Sequence, residues 1–241
     1  MEDIQSNPSR FFSNQVLSRA VIIAVSLAIL TDLIGVYSGF LEIGLLSKVK
    51  QGFEITTAEA NVNDTRQGII GVFQVLVYFL YFILFLVWVN RSNKNLTALG
   101  IKNKKFSSGW AVGWFFIPIA SLFKPYQVMK EIWQGSSSLD VEDEGIPLRS
   151  YESTSLINLW WTFFIISSIV GQISFRLAMA VDTVDMIYTS SIASVASDIL
   201  SIFEQIITII VVYKITSFQV EKHSFINSKA QQNAEREYPL V

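Results

Sequence analysis

Four charged residues lie inside stretches apolar enough to sit within a bilayer: Asp32, Arg176, Asp198 and Glu204. A charge in hydrocarbon is costly, so such residues pair with one another, face a watery cavity or carry ions and protons. Arg176 paired with Asp198 or Asp32 makes a satisfied structural ion pair. A polar cavity open to the outside makes a site for a small solute, an ion or a proton. Two acids against one base leave spare negative charge, so a cation or proton is the natural guest of such a cavity. Their surroundings are polar at helical spacing. Ser190, Ser194, Ser197, Asp198, Ser201, Glu204, Gln205 and Thr208 run down one face. Ser168, Gln172 and Arg176 follow at steps of four. At a rise of 1.5 Å per residue, Asp32, Gln74, Arg176 and Asp198 fall roughly 8–14 Å below the outer surface. Glu204 lies nearer the midplane. The candidate intramembrane polar site is therefore Asp32, Gln74, Gln172, Arg176, Asp198 and Glu204. A bland reading accompanies it: serines and glycines such as Ser167 and Gly171 let helices pack closely, with no ligand.

The elements that must position these residues are membrane spans. The chain has 241 residues, 51% of them apolar and only 16% charged. Soluble domains carry about 25% charged residues. Mean hydropathy is +0.43. A span needs about 20 mostly apolar residues, and four stretches qualify: about 17–40, 67–90, 153–177 and 189–213. The fold class is an all-α integral membrane protein with four transmembrane helices. Residues 1–226 read as a single transmembrane domain and 227–241 as a polar mobile tail.

A fifth apolar stretch, FSSGWAVGWFFIPIASLF, holds Pro118 and only 14 strongly apolar residues (110–123). That length suits a re-entrant or interfacial segment over 107–134. The helix that follows, KPYQVMKEIWQ, brings Leu122, Tyr126, Met129 and Trp133 onto one face, with Trp133 as interface anchor. An acidic linker covers 135–155. Basic residues divide 14 to three between the two sides of a four-span chain with a cytoplasmic N-terminus. This follows the positive-inside rule. It places both termini, and the aromatic segment, in the cytoplasm or on its face of the plasma membrane. The candidate interfacial and lipid-facing residues are Arg91, Asn95, Trp110, Trp114, Pro118, Lys124, Tyr126, Lys130, Glu131 and Trp133.

The central block is distinctive: WVNRSNKNLTALG, then SSGWAVGWFFIPIASLFKPYQVMKEIWQGS, then LINLWW. It resembles the bacterial membrane proteins grouped as domain of unknown function 4328, over roughly residues 87–176. The resemblance rests on Arg91, Asn95, Ala98 to Gly100, Gly109 to Trp114, Pro118, Lys124 to Gln127, Glu131 and Trp133. It implies a bacterial inner-membrane location and no established activity.

Composition narrows function by exclusion. There is no cysteine and one histidine, His223, which removes disulfides, thiolate metal sites and most triad chemistry. The formal charge of −2 argues against nucleic acid. No HExxH, GxSxG, Walker or dinucleotide pattern occurs. The expectation is a non-enzymatic scaffold or sensor, with no cofactor and no metal, that binds a lipid, a small ligand or a protein partner. The alternative is a subunit of a small channel or transporter; four spans are few for alternating access, so that reading needs a homo-oligomer.

Overall fold

Long apolar runs nearly free of proline leave the backbone one solution in lipid, the helix, which satisfies its own N–H and C=O groups. The computed structural model describes residues 10–138 and 152–237, and every regular element in them is helical. Four helices are long and apolar enough to cross a membrane: α1 (Gln15–Lys50), α2 (Thr57–Ala98), α5 (Ser155–Met179) and α6 (Val184–Glu237). Between α2 and α5 lie α3 (Ser108–Gly113), a 3-10 turn (Ala120–Leu122) and α4 (Lys124–Ser137). Local signals set the ends. Thr56 and Glu59 form a reciprocal capping box at the start of α2, Thr56 N–H donating to Glu59 Oε2 (2.8 Å) and Glu59 N–H to Thr56 Oγ1 (3.1 Å). Gly100, at φ 86°, closes the C-terminus of α2, where Ile101 N–H reaches Leu96 O.

The chain divides into two compact units. Unit 1 comprises Met1–Ala20, Phe85–Asn158 and Ile210–Val241; unit 2 comprises Val21–Leu84 and Leu159–Ile209. Unit 2 is built as membrane proteins are, apolar outside and polar within. Its outward side chains include Leu30, Leu33, Tyr37, Phe73, Leu76, Phe79, Ile169 and Ile173, all exposed. Its buried residues include Asp32, Ser38, Asn63, Ser174, Ser190, Ser191, Glu204, Gln205 and Thr208.

Unit 1 has a mixed interior. Trp88, Leu96, Val128, Met129, Ile132, Trp133 and Ile215 are fully buried. Polar side chains form a lattice among them: Gln219 Nε2 donates to Ser92 O and Ser136 Oγ, and Gln219 Oε1 accepts from Asn95 and Asn14. Two expectations change here. Trp133 is 1% exposed and meets Phe218 edge-on at 5.3 Å, so it is a core residue and not an interface anchor. The inward face of α4 is Val128, Met129, Ile132 and Trp133, one step round from the face read in the sequence; Leu122 is exposed. The helix α6 runs on through residues 227–237 of the polar tail, and 238–241 lie outside the described residues. Eight of the eleven residues 227–237 are Ala, Gln, Glu, Lys or Arg, good helix formers, and none is glycine or proline. Most of the acidic linker, 139–151, lies outside the described residues.

Candidate functional site

Asp32, on α1, is fully buried in unit 2 and is met by three neutral donors. Tyr78 Oη donates to Asp32 Oδ2 at 2.7 Å, Gln205 Nε2 to the same oxygen at 2.8 Å, and Gln74 Nε2 to Oδ1 at 3.1 Å. Gln74 Nε2 also reaches Asp198 Oδ1 at 3.4 Å, so one amide is shared by two carboxylates. Gln205 Nε2 makes a further bond to Tyr78 Oη at 2.8 Å. That spends the nitrogen side of the Gln205 amide. Its Oε1 is buried with no donor. A buried orphan acceptor costs about 1–3 kcal/mol, and it belongs to the same amide group that touches Asp32.

The geometry follows from spacing. Asp32, Gly35, Gly39 and Glu42 share one face of α1 at steps of three and four; Gln67, Gln74 and Tyr78 do so on α2 at steps of seven and four, and Ser191, Ser194, Asp198 and Gln205 on α6 at steps of three, four and seven. Gly35 is essential to the close approach. A Cβ added there would lie 2.5 Å from Asp198 Oδ2 and 2.9 Å from Gln74 Nε2. Gly35→Ala should therefore push the carboxylate and amide off the site while leaving helix α1 intact. Any ligand bound there should weaken at least tenfold; unchanged binding would show that the approach is incidental.

A cavity of about 430 Å³ in unit 2 is lined by Asp198, Gln74, Glu42, Gln67 and the serines at 174, 190, 191, 194 and 197. At one end Glu42 accepts from Asn63 Nδ2 (2.9 Å), Gln67 Nε2 (2.9 Å) and Ser191 Oγ (2.8 Å). Arg66 stands beside it, bonded to Ser38 Oγ and Asn63 Oδ1. The polar line continues past Gln205 to Glu204, which accepts from Thr208 Oγ1 (2.7 Å); Thr208 in turn accepts from Trp160 Nε1 (2.8 Å). On α6, the step from Ser191 to Gln205 spans about 21 Å.

Of the six intramembrane residues read in the sequence, Asp32, Gln74 and Asp198 converge and Glu204 extends the line. Gln172 and Arg176 do not join it. Both are exposed, and no ion pair joins Arg176 to Asp32 or Asp198. Arg176 lies three residues before the end of α5, in its last turn, where a long side chain can stay exposed, and it has no ion pair among the described residues. Arg176→Gln should consequently leave the thermal midpoint within a degree or so of wild type, because exposed substitutions cost about 0.5 kcal/mol or less. Loss of folding would restore the buried ion pair. Tyr78, Gln205, Glu42 and Gly35 join the site without having been singled out as site residues from the sequence.

The ten interfacial candidates all lie in unit 1 but in different roles. Asn95 is 1% exposed and clamps the backbone of Phe12, accepting from its N–H (3.1 Å) and donating to its O (2.8 Å). Arg91 stands over the Phe12 ring at 5.6 Å. Both are structural contacts, so Asn95 does not face lipid. Glu131 accepts the N–H groups of Lys105 and Phe106. Tyr126 Oη donates to Asn158 Oδ1 at 2.8 Å. Lys124 Nζ lies 5.5 Å from the Trp114 ring, itself 4.8 Å from that of Trp110, and Lys130 Nζ lies 5.9 Å from that of Tyr126. Trp110 and Pro118 are exposed, and Trp133 is core.

A family model described as Domain of unknown function (DUF4328) matches residues 52–217. The match takes in Gln74, Tyr78, Asp198, Glu204 and Gln205, while Asp32, Gly35 and Glu42 precede it. No curated protein and no solved structure matches the chain.

Proposed function

We propose that this chain, which belongs to the domain of unknown function 4328 family, is a non-enzymatic multi-pass membrane protein that binds a small monovalent cation in the polar cavity of unit 2. The observation that carries this reading is a pair of carboxylates, Asp32 and Asp198, linked by the one neutral amide of Gln74, with Asp198 and Gln74 lining the cavity and Asp32 behind them. Carboxylates held by neutral donors suit a positive guest, and carboxylate, amide and hydroxyl oxygens are ligands for hard cations. Among the described residues no three acidic side chains converge as a multivalent metal site does, which leaves a monovalent cation as the guest. Binding would relieve the repulsion between the acids.

The test is the thermal midpoint of the protein in mild detergent, with sodium replaced by bulky N-methylglucamine at constant ionic strength. Saturating sodium, at about 100 times Kd, should stabilise wild type by about 2.7 kcal/mol. Asp198→Asn should lose that response. Equal midpoints in both salts would remove alkali-cation binding.

A second reading has its own observation. The line of polar groups continues from Glu42 past Asp198 to Glu204 and Thr208, which suits a channel or transporter subunit better than a closed receptor. Under it, Glu204→Gln folds and binds but abolishes sodium flux into liposomes. A plasma-membrane location with cytoplasmic termini is part of the proposal, supported by the distribution of basic residues. The chain has no cysteine, so Asn61→Cys should label from outside intact cells and Lys102→Cys should not. Both positions are exposed.

A further inference from the structure

A second cavity, of about 630 Å³, lies in unit 1 against α4. Its lining includes Lys105, Lys130, Phe106, Tyr126, Gln127 and Gln134. The carboxylate in its wall, Glu131, is engaged by two backbone N–H groups, whereas neither lysine ammonium has an ion pair among the described residues. Lys124, two residues before Tyr126 and not part of the lining, holds a third ammonium 5.8 Å from the Phe106 ring. Lys104, outside the lining, donates to Asn93 O and Oδ1, and burial holds its ammonium below the ordinary lysine value, with Glu131 opposing the shift. The site is therefore positive, part aromatic, and supplied with amide donors.

Chain neighbours of this cavity are apolar and outward. Phe116 (62%), Ile119 (76%) and Phe123 (60%) are exposed in the turn that leads straight into Lys124 and Tyr126. Ile119 adopts φ 67°, a genuine outlier for a β-branched residue. A strained backbone that throws an isoleucine outward gains nothing in water. It gains from burial in an apolar phase beside the cavity.

We propose that the α4 cavity binds a phosphate-bearing anion, with Lys105 and Lys130 on the phosphate and the Phe116–Phe123 turn set against an acyl phase. Phosphate could come from an anionic lipid headgroup or from a free solute, and the flanking apolar turn favours the lipid. The experiment is native mass spectrometry of the protein in mild detergent with equimolar phosphatidylglycerol and phosphatidylcholine. Wild type should retain phosphatidylglycerol at least tenfold over phosphatidylcholine, given about 1 kcal/mol for each basic group near an anionic headgroup. The Lys105→Gln/Lys130→Gln double variant should bind both lipids equally, the Lys→Arg pair should keep the preference, and Lys48→Gln in unit 2 should behave as wild type. A wild type indifferent to headgroup, or a double variant with the preference intact, overturns the site. Inorganic phosphate separates the sources. If millimolar phosphate displaces the lipid and raises the thermal midpoint only when both lysines are present, the anion is recognised free of a lipid; if it does neither, the headgroup is the ligand.

Discussion

Asp32→Leu should lower the thermal midpoint of the purified protein more than any other single change in unit 2. The leucine leaves Tyr78 Oη, Gln74 Nε2 and Gln205 Nε2 without their shared acceptor. A buried donor left unmade costs about 1–3 kcal/mol. Two of the three keep one other bond, Gln74 to Asp198 and Gln205 to Tyr78, so the sum is about 3 kcal/mol and not three times the maximum. Asp32→Asn separates structure from function. The amide keeps one acceptor oxygen and the shape, so the fold should persist at a cost of about 1 kcal/mol, while loss of the fixed charge should abolish the response to sodium. Melting curves of the two variants in sodium and in N-methylglucamine read both effects. An Asp32→Leu protein as stable as wild type would contradict the network, and an Asp32→Asn protein that still responds to sodium would contradict the site.

Gln219→Leu should have an effect of similar size in unit 1. Gln219 is 1% exposed and holds four partners: Asn14 (3.4 Å), Asn95 (3.1 Å), the carbonyl of Ser92 (2.9 Å) and Ser136 Oγ (3.1 Å). Leucine matches its volume but satisfies none of them. The expected loss is about 3 kcal/mol, accompanied by faster proteolysis at residues 10–14, because Asn95, which clamps Phe12, loses its own support from Gln219. Limited proteolysis with mass mapping reads this directly. An N-terminal segment cut at the wild-type rate would show that the Asn95 clamp stands without Gln219.

Half of the intramembrane site was legible in the sequence because of a physical asymmetry. In lipid a carboxylate must turn inward, and the fixed rise of a helix converts sequence position into depth. Asp32, Gln74 and Asp198 meet for that reason. Arg176 misled because an arginine near a helix end has a cheaper alternative to a buried pair: its long stem lets it stay exposed. Tyr78 passed unmarked, and Gln205 was read on the polar face but not in the site, because neutral polar groups raise no comparable cost, although Gln74 plus four and Asp198 plus seven point to them. Gly35 and Gly39 are four apart on the face of Asp32, a small-residue pattern that marks close helix approach. Unit 1 was harder. Two overlapping stripes on α4 both contain Met129 and Trp133, and only the partner surface, with Phe218 against Trp133, decides which is buried. Asn95 bonds Phe12 and Gln219 across 83 and 124 residues of chain, a pairing that no local period encodes. The family match, in contrast, was readable from one block of motif and extends well beyond it.

The most direct measurement of the cation site is equilibrium binding of radioactive sodium to the purified protein in detergent, beside Asp32→Asn and Asp198→Asn. The account predicts saturable binding of about one sodium per chain by wild type, competed by excess unlabelled sodium and lost from both variants. Binding that never saturates, or that survives in both asparagine variants, would contradict it.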